Sequence, residues 1–387
     1  MQLLEGKLFM NHPIDFITSH RDNILQTYKD LHALAEPSWE EKDTSAYLKE
    51  KLKESVLEIT SFDSHYGFIA ELKGQSKDVI AIRADMDALM QEVDGQIQPN
   101  HSCGHDAHST MVLYSALALA ESKHSFHHTI RFIFQPAEEK ASGALQMIKD
   151  GALDHVKFLG GIHVRPAIEV EMGMAAPVIQ HSSNATITGC IKGVQAHAAR
   201  PEDGNNPIEA AAILIQKMKE LRLKGNSSYS IKMTELHAGI STNAIPETAH
   251  FTFDLRAKTN EVMEDLIEKA QTTIEDVAKL TSTTIERRVE DLLPAAVKHP
   301  AAIDLAKEAI ASVLGEEHVE PICISPGGED FHFYSYHSPG LAATMIGLGC
   351  DLKPGLHHPK MNFNTESVID GTKILTEMLI KADTKVW

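Results

Sequence analysis

Residues 79–89 read VIAIRADMDAL, a continuous β-prone run that closes on two acids, Asp85 and Asp87. Such a run predicts a buried strand. Working outward from it, a loop leads to Cys103, a helix is predicted over about His105–Ser122, and a strand over TIRFIFQP (Thr129–Pro136). A helix over Ser142–Lys149 and a strand over FLGGIHV (Phe158–Val164) follow, and Ile24–Leu34 and Thr44–Leu57 carry apolar residues at helical spacing ahead of the run. Strands alternating with helices predict a mostly parallel, doubly wound α/β sheet.

From about His181 the pattern changes. Strand Ala185–Lys192, helix Pro207–Leu223, strands Tyr229–His237 and Thr248–Arg256, helix Glu261–Leu280 and strand Thr283–Val289 follow the order β-α-β-β-α-β, a ferredoxin-like α+β unit. Gly193, Gly204 and Gly225, with Asn205 and Asn206, punctuate its turns. After Leu293 the α/β pattern resumes with helix Ala301–Leu314, strand Leu341–Ile346 and helix Thr365–Ala382. The expected organisation is therefore a discontinuous α/β domain, residues 1–181 and 294–387, with a second domain, 182–293, inserted into it.

The chain has 387 residues, 36 Lys+Arg against 54 Asp+Glu, and a net charge of −18. A surface so acidic repels nucleic acid and anionic membrane. The N-terminus carries no basic region leading into an apolar run, so no secretory signal is expected and a cytoplasmic location is. Apolar stretches such as MVLYSALALA (Met111–Ala120) fall short of the roughly 20 residues that span a bilayer. Cys103, Cys190, Cys323 and Cys350 are too irregularly spaced for a disulfide framework or a paired zinc module, and the last three read as small buried apolar residues.

Ligands of open α/β sheets bind beyond the carboxyl ends of the strands. Asp85 and Asp87, Glu138 and Glu139, His163, and His357 and His358 all fall at such ends, and Cys103 and His105 lie in NHSCGHDAHST (Asn100–Thr110), before the helix that follows the first strand. Thiolate, imidazole and carboxylate together suit zinc or another first-row divalent ion. Cys103 stands just before a helix N-terminus, where the macrodipole and a nearby cation favour the thiolate. The Glu138–Glu139 pair permits a division of labour, one carboxylate on metal and the other free to take a proton from water. Adjacent acids usually lie on solvated helix faces, and Glu40–Glu41 and Glu316–Glu317 are read that way. Among the 22 histidines, His124, His127, His128, His155, His181, His299, His318 and His337 are read as surface or structural, and His101 and His108 either as supports of the ligands or as ordinary loop and helix residues.

Taken together, LHALAEPSWEE, AIRADMDAL, HSCGHDAH, QPAEEKASGALQMIKDGAL, GIHV, AHAARPEDGNNPIEAA, STNAIPETAHFTFDLRA, GGEDFHFY and GLHHPKMNFNTE span nearly the whole chain. In order and spacing they resemble the dinuclear metallopeptidase family of aminoacylases, hippurate hydrolases, N-acetyl-diaminopimelate deacetylases and plant auxin-conjugate amidohydrolases, its bacillary amidohydrolases in particular. The resemblance implies two divalent ions per subunit (Zn, Mn, Ni or Co), held by Cys103, His105, Glu139, His163 and His357, with Glu138 as general base. It selects His357 over His358, because the family's element is Leu-His-x-Pro. It also implies a homodimer formed through the inserted domain, His197 holding an oxyanion in the partner's site, and Asn243 and Arg256 contacting a small N-acyl amino acid substrate. Gln195 and Ala196, Met90, Gly327 and Lys140 depart from the family pattern around the pocket. Besides hydrolysis of N-acyl amino acids, a dipeptidase or carboxypeptidase and a non-catalytic metal-stabilised binder remain open readings.

Overall fold

The computed structural model describes residues 12–122, 124–224 and 228–387; the turn expected at Gly225 lies outside them. Contacts divide the chain into two compact units: Met1–Gln180, Val297–Ser325 and Asp330–Trp387 in the first, His181–Ala296 and Pro326–Glu329 in the second.

The first unit runs α1 (Pro13–Ser19), α2 (Arg21–Ala33), α3 (Lys42–Leu52), β1 (Glu58–Ser61), β2 (Phe68–Leu72), β3 (Val79–Asp85), β4 (Leu89–Val93), β5 (Gln96–Asn100), α4 (His105–Glu121), β6 (Thr129–Gln135), α5 (Gly143–Lys149), β7 (Val156–Pro166), β8 (Ala175–Ala176) and β9 (Ile179–His181). The second continues β10 (Ser183–Lys192), β11 (Ala196–His197), α6 (Pro207–Glu220), β12 (Tyr229–Ala238), β13 (Ala244–Ile245), β14 (Thr248–Ala257), α7 (Asn260–Thr281) and β15 (Thr284–Leu293). The chain then returns to the first with α8 (Pro300–Leu314), β16 (Cys323–Ser325), α9 (His332–His337), β17 (Ala342–Leu352) and α10 (Ser367–Asp383).

The sheet of the first unit has the order β1-β2-β6-β3-β7-β17-β8. Its four central strands are parallel and its edges antiparallel. All seven residues of β3 and of β6 are buried, as expected of strands covered on both faces. Gly160 and Gly161 of β7 show what covers them. Successive side chains of a strand point to opposite faces. A Cβ on Gly160 would meet Met378 of α10, and one on Gly161 would meet Phe331 beside α9. Helix α4 is buried nearly all round, packed by α1, α2 and α10 as well as by β3 and β7, which explains why its sequence has no polar stripe.

The segment expected to be a plain loop before Cys103 is a hairpin, β4–β5, paired from Leu89↔Asn100 to Val93↔Gln96. Its turn residues Asp94 and Gly95 both have positive φ, the conformation a two-residue Asp-Gly hairpin loop requires. The signal was present in the sequence but lacked alternating hydrophobicity, since Met90 and Ile97 are the exposed apolar residues of a largely solvated ribbon.

In the second unit β12-β14-β10-β15 form an antiparallel sheet, and α6 and α7 bury Leu214, Met218, Leu266 and Ile274 in a core with Phe251, Phe253 and Leu255. Strand order and connections are those of the ferredoxin-like arrangement expected. Of the three cysteines read as buried, Cys323 and Cys350 are, whereas Cys190 on β10 is partly exposed. No helix among the described residues is long and apolar enough to cross a membrane.

At the start of α5 a Cβ on Gly143 would lie 1.6 Å from the carbonyl oxygen of Pro136, closer than any contact tolerates. Gly143→Ala must therefore push the Pro136–Glu139 segment aside. Overpacking of this kind costs about 1–3 kcal/mol, so urea denaturation should show a correspondingly lower midpoint at unchanged slope.

Candidate metal centre

Strand β3 ends at Asp85, α4 begins at His105, and β6 runs into a 3-10 turn at Glu138–Lys140, so the carboxyl ends of two parallel strands and the N-terminus of the helix between them meet at one sheet edge. Cys103 precedes the left-handed Gly104 (φ 91°), and His105 is the first helical residue, which lets a Cys and a His two apart approach the same point. His163 lies on β7 and His357 in the loop after β17.

The ligating atoms of Cys103, His105 and His163 lie within 4.8 Å of one another, and so do those of Cys103, Glu139 and His357. The two triads share the Cys103 thiol. Cys103 Sγ is 3.6 Å from His163 Nε2, and His357 Nε2 is 3.5 Å from Glu139 Oε1. His105 Nε2 is 3.8 Å from Glu138 Oε2 and 3.9 Å from Glu139 Oε1. His105 Nε2 and Glu139 Oε1 are buried without a hydrogen-bond partner. Leaving such atoms unpaired is costly unless a cation takes their lone pairs, and the donor set is the one that suits a first-row divalent ion.

The tautomers agree. A carbonyl oxygen can only accept, so His105 Nδ1, 2.9 Å from the Asp87 carbonyl, and His163 Nδ1, 2.7 Å from the Val164 carbonyl, carry the protons. In the neutral ring, the form that binds a metal, each Nε2 is then a lone pair towards Cys103 or the glutamates. His108 also sits close enough for a cluster with Asp85 and His105, yet both its nitrogens are spent. Its Nδ1 binds Asp85 Oδ1 at 2.7 Å and its Nε2 accepts the Val164 N–H at 3.0 Å, so it braces the strand beside His163. His101 is buried with neither ring nitrogen paired.

Asp87 holds the turn that carries the two glutamates. Its Oδ1 accepts the Glu138 N–H and its Oδ2 the Glu139 N–H, both at 3.1 Å, and Ser38 Oγ donates to Oδ2 at 2.6 Å. Burial alone would raise this acid, but His105, Ser38 and the Glu139 amide together hold it below the usual carboxylate range. Glu138 is further placed by the Asp330 N–H, 3.4 Å from its Oε1. Asp330 in turn takes Arg83 Nη2 at 2.7 Å, Gln135 Nε2 at 2.8 Å and the Ala144 N–H at 2.9 Å.

Without a cation beside it, burial and the nearby Glu139 push the Cys103 thiol well above its ordinary value, so the thiolate expected there depends on a bound ion. One expectation changes. Glu41 was read with Glu40 as solvated, yet it is wholly buried. Its Oε1 accepts the N–H of Trp39 at 2.9 Å and of Ala137 at 2.8 Å, the latter a left-handed residue (φ 52°) immediately before Glu138. Nothing local marks Glu41 as buried, because its partner arrives from the far end of β6.

In the second unit His197 and Asn243 come together where β11 meets β13: His197 pairs with Ala244, and the Ala198 N–H donates to the Asn243 carbonyl at 2.9 Å. Both side chains are exposed. Arg256 stands on β14, in another sheet, with its guanidinium on Asp254 (Nη2 to Oδ2, 2.8 Å).

The sequence pattern of peptidase family M20/M25/M40 matches residues 81–381. The chain belongs to this family. N-acetylcysteine deacetylase of Bacillus subtilis is 31% identical to this M20 chain over 376 residues, 92% of the chain and 96% of the relative. IAA-amino acid hydrolase ILR1-like 2 of Arabidopsis thaliana is 26% identical, across 93% of the chain and 85% of the relative. The crystal structure of the Bacillus subtilis YXEP protein, a dinuclear metal-binding peptidase of the M20 family, superposes with a TM-score of 0.82 at 26% identity, covering 95% of this chain and 99% of that one. The M20 chain is thus a metal-dependent hydrolase of amide bonds, the reaction class expected from the sequence.

Burial, with Asp87 beside it, pushes the Glu41 carboxyl from its ordinary 4.5 up to about 7. A raised acid binds its proton in the folded state where the unfolded chain has lost it, so its cost to stability grows as pH rises from about 4.5 to 7. Glu41→Gln keeps an oxygen for both amides and carries no charge. Urea denaturation should therefore show the variant gaining on the parent protein by on the order of 2 kcal/mol between pH 5 and pH 8.

Proposed function

We propose that this M20 chain hydrolyses N-acyl amino acids to a carboxylic acid and a free amino acid. The observation that carries the reading is the pair of triads sharing Cys103, with the Glu138 carboxylate alongside and no ligand role required of it. The relatives support the substrate class, since a deacetylase of N-acetylcysteine and a hydrolase of IAA–amino acid conjugates are both named for removing an acyl group from an amino acid.

Cys103, His105 and His163 would hold one divalent ion, and Cys103, Glu139 and His357 a second; Zn, Mn, Ni and Co all suit such donors. When bound, the ions supply Lewis acidity to the attacking water and the scissile carbonyl. Glu138 takes the proton from the attacking water and delivers it to the leaving amine nitrogen, and Asp87 and Asp330 hold its backbone and carboxylate for both transfers. Asp87 also fixes the ring of His105 so that Nε2 points inward. The second unit would supply a homodimer contact, with His197 of each subunit holding the developing oxyanion in the partner's site, a donation typically worth about 3 kcal/mol in the transition state. Asn243 would contact the substrate's polar groups. Arg256 would exchange Asp254 for the substrate carboxylate, whose planar geometry matches its fork. A cytoplasmic location belongs to the same reading.

The test is a panel of N-acyl amino acids and dipeptides, assayed with each metal and with chelator. Chelator-sensitive release of free amino acid from the N-acyl members is expected; its absence across the panel rules the reading out. Glu138→Ala should keep the parent metal stoichiometry while losing turnover by two or more orders of magnitude, about 3 kcal/mol or more in the barrier. Cys103→Ala should lose metal, measured by atomic emission on the purified protein.

A further inference from the structure

Four of the five proposed ligands are held by burial: Cys103, His105, His163 and the Glu139 side chain are all nearly inaccessible. His357 is not, since 54% of its side chain is exposed. Its ring is therefore directed by its backbone rather than by packing. That backbone sits at φ 61°, a left-handed conformation that costs a non-glycine residue roughly 1 kcal/mol and persists only where neighbours impose it.

The neighbours are Ser102 and Gln91. The His357 N–H donates to the Ser102 carbonyl at 2.8 Å, and the His357 carbonyl accepts from Gln91 Nε2 at 2.7 Å. Gln91 Oε1 accepts from Ser102 Oγ at 2.8 Å and from Asn100 Nδ2 at 3.1 Å. The orientation of this amide is fixed by its partners, because only an N–H can face a carbonyl oxygen. Asn100 extends the clamp, donating also to the Pro359 carbonyl at 3.2 Å. Gln91 thus stands on β4 between two segments far apart in the chain, one ending at Ser102 next to Cys103, the other carrying His357.

We propose that Gln91 is a positioning residue of the metal centre: its amide locks the His357 backbone to Ser102 and so sets the geometry of the Cys103–Glu139–His357 triad. This rests on the reading of His357 as a ligand. Partners of this kind typically change metal affinity 10- to 100-fold when removed. Gln91 lies on a solvated ribbon, so its replacement leaves the metal-free fold intact.

The experiment titrates metal-free protein with Zn²⁺ in a calorimeter, checks bound metal by atomic emission, and compares the parent chain with Gln91→Ala, Gln91→Glu and His357→Ala. His357→Ala should lose one of two ions. Both Gln91 variants should bind one ion about 10- to 100-fold more weakly and the other normally, with the metal-free melting temperature unchanged. Gln91→Glu is the sharper variant, because it keeps an acceptor for Ser102 and Asn100 but cannot donate to the His357 carbonyl. If both variants bind two ions like the parent while His357→Ala loses one, the positioning role is overturned. It is equally overturned if Gln91→Glu behaves like the parent and only Gln91→Ala weakens, since the donation to His357 would then be idle. Retention of both ions by His357→Ala would instead remove the ligand reading on which the proposal stands.

Discussion

The buried carboxylate of Asp87 is the constraint on which the site depends. An ion out of water must be fully hydrogen-bonded, and Asp87 meets that demand with groups from three distant stretches: the Ser38 hydroxyl, the His105 ring and the amides of Glu138 and Glu139. Removing it would leave several buried donors unmet at about 1–3 kcal/mol each. The same bonds that satisfy the charge therefore fix where the glutamates and the imidazole stand.

Strain and restraint are paired throughout this edge of the sheet. Ala137 and Ala141 both adopt left-handed backbone on either side of the Glu138–Lys140 turn, and each has its amide tied, to Glu41 and to the Glu138 carbonyl. His357 repeats the pattern between Ser102 and Gln91. Non-glycine residues in this region are expensive, and Ala137, Ala141 and His357 stand where side chains must converge from loops.

Much of this was legible in the sequence. The β-prone runs closing on Asp85–Asp87 and Gln135–Glu139 located two strand ends, whereas β7 was expected to close near His163 and runs on to Pro166. What could not be read was the set of supports, because they depend on who meets whom in space. Glu41 resembles any solvated acid until the Ala137 amide, 96 residues away, is seen to need it. His108 is indistinguishable in sequence from a ligand, and only the partners at both its nitrogens remove it from consideration. The hairpin before Cys103 was announced by Asp94–Gly95 but not by hydrophobic alternation, since both its faces are largely wet.

The discontinuity of the first unit bears on how the chain comes off the ribosome. Strand β7 pairs on one side with β3, which is synthesised before it, and on the other with β17, whose residues 342–352 follow the whole of β10–β15. Until those residues emerge, the edge of β7 that pairs with β17 has no strand beside it, whereas all of the second unit except Pro326–Glu329 has already been made. The ends of the inserted stretch meet in the fold, where the Ala296 N–H donates to the His181 carbonyl at 3.2 Å, so folding of that stretch shortens the span left between β7 and β17.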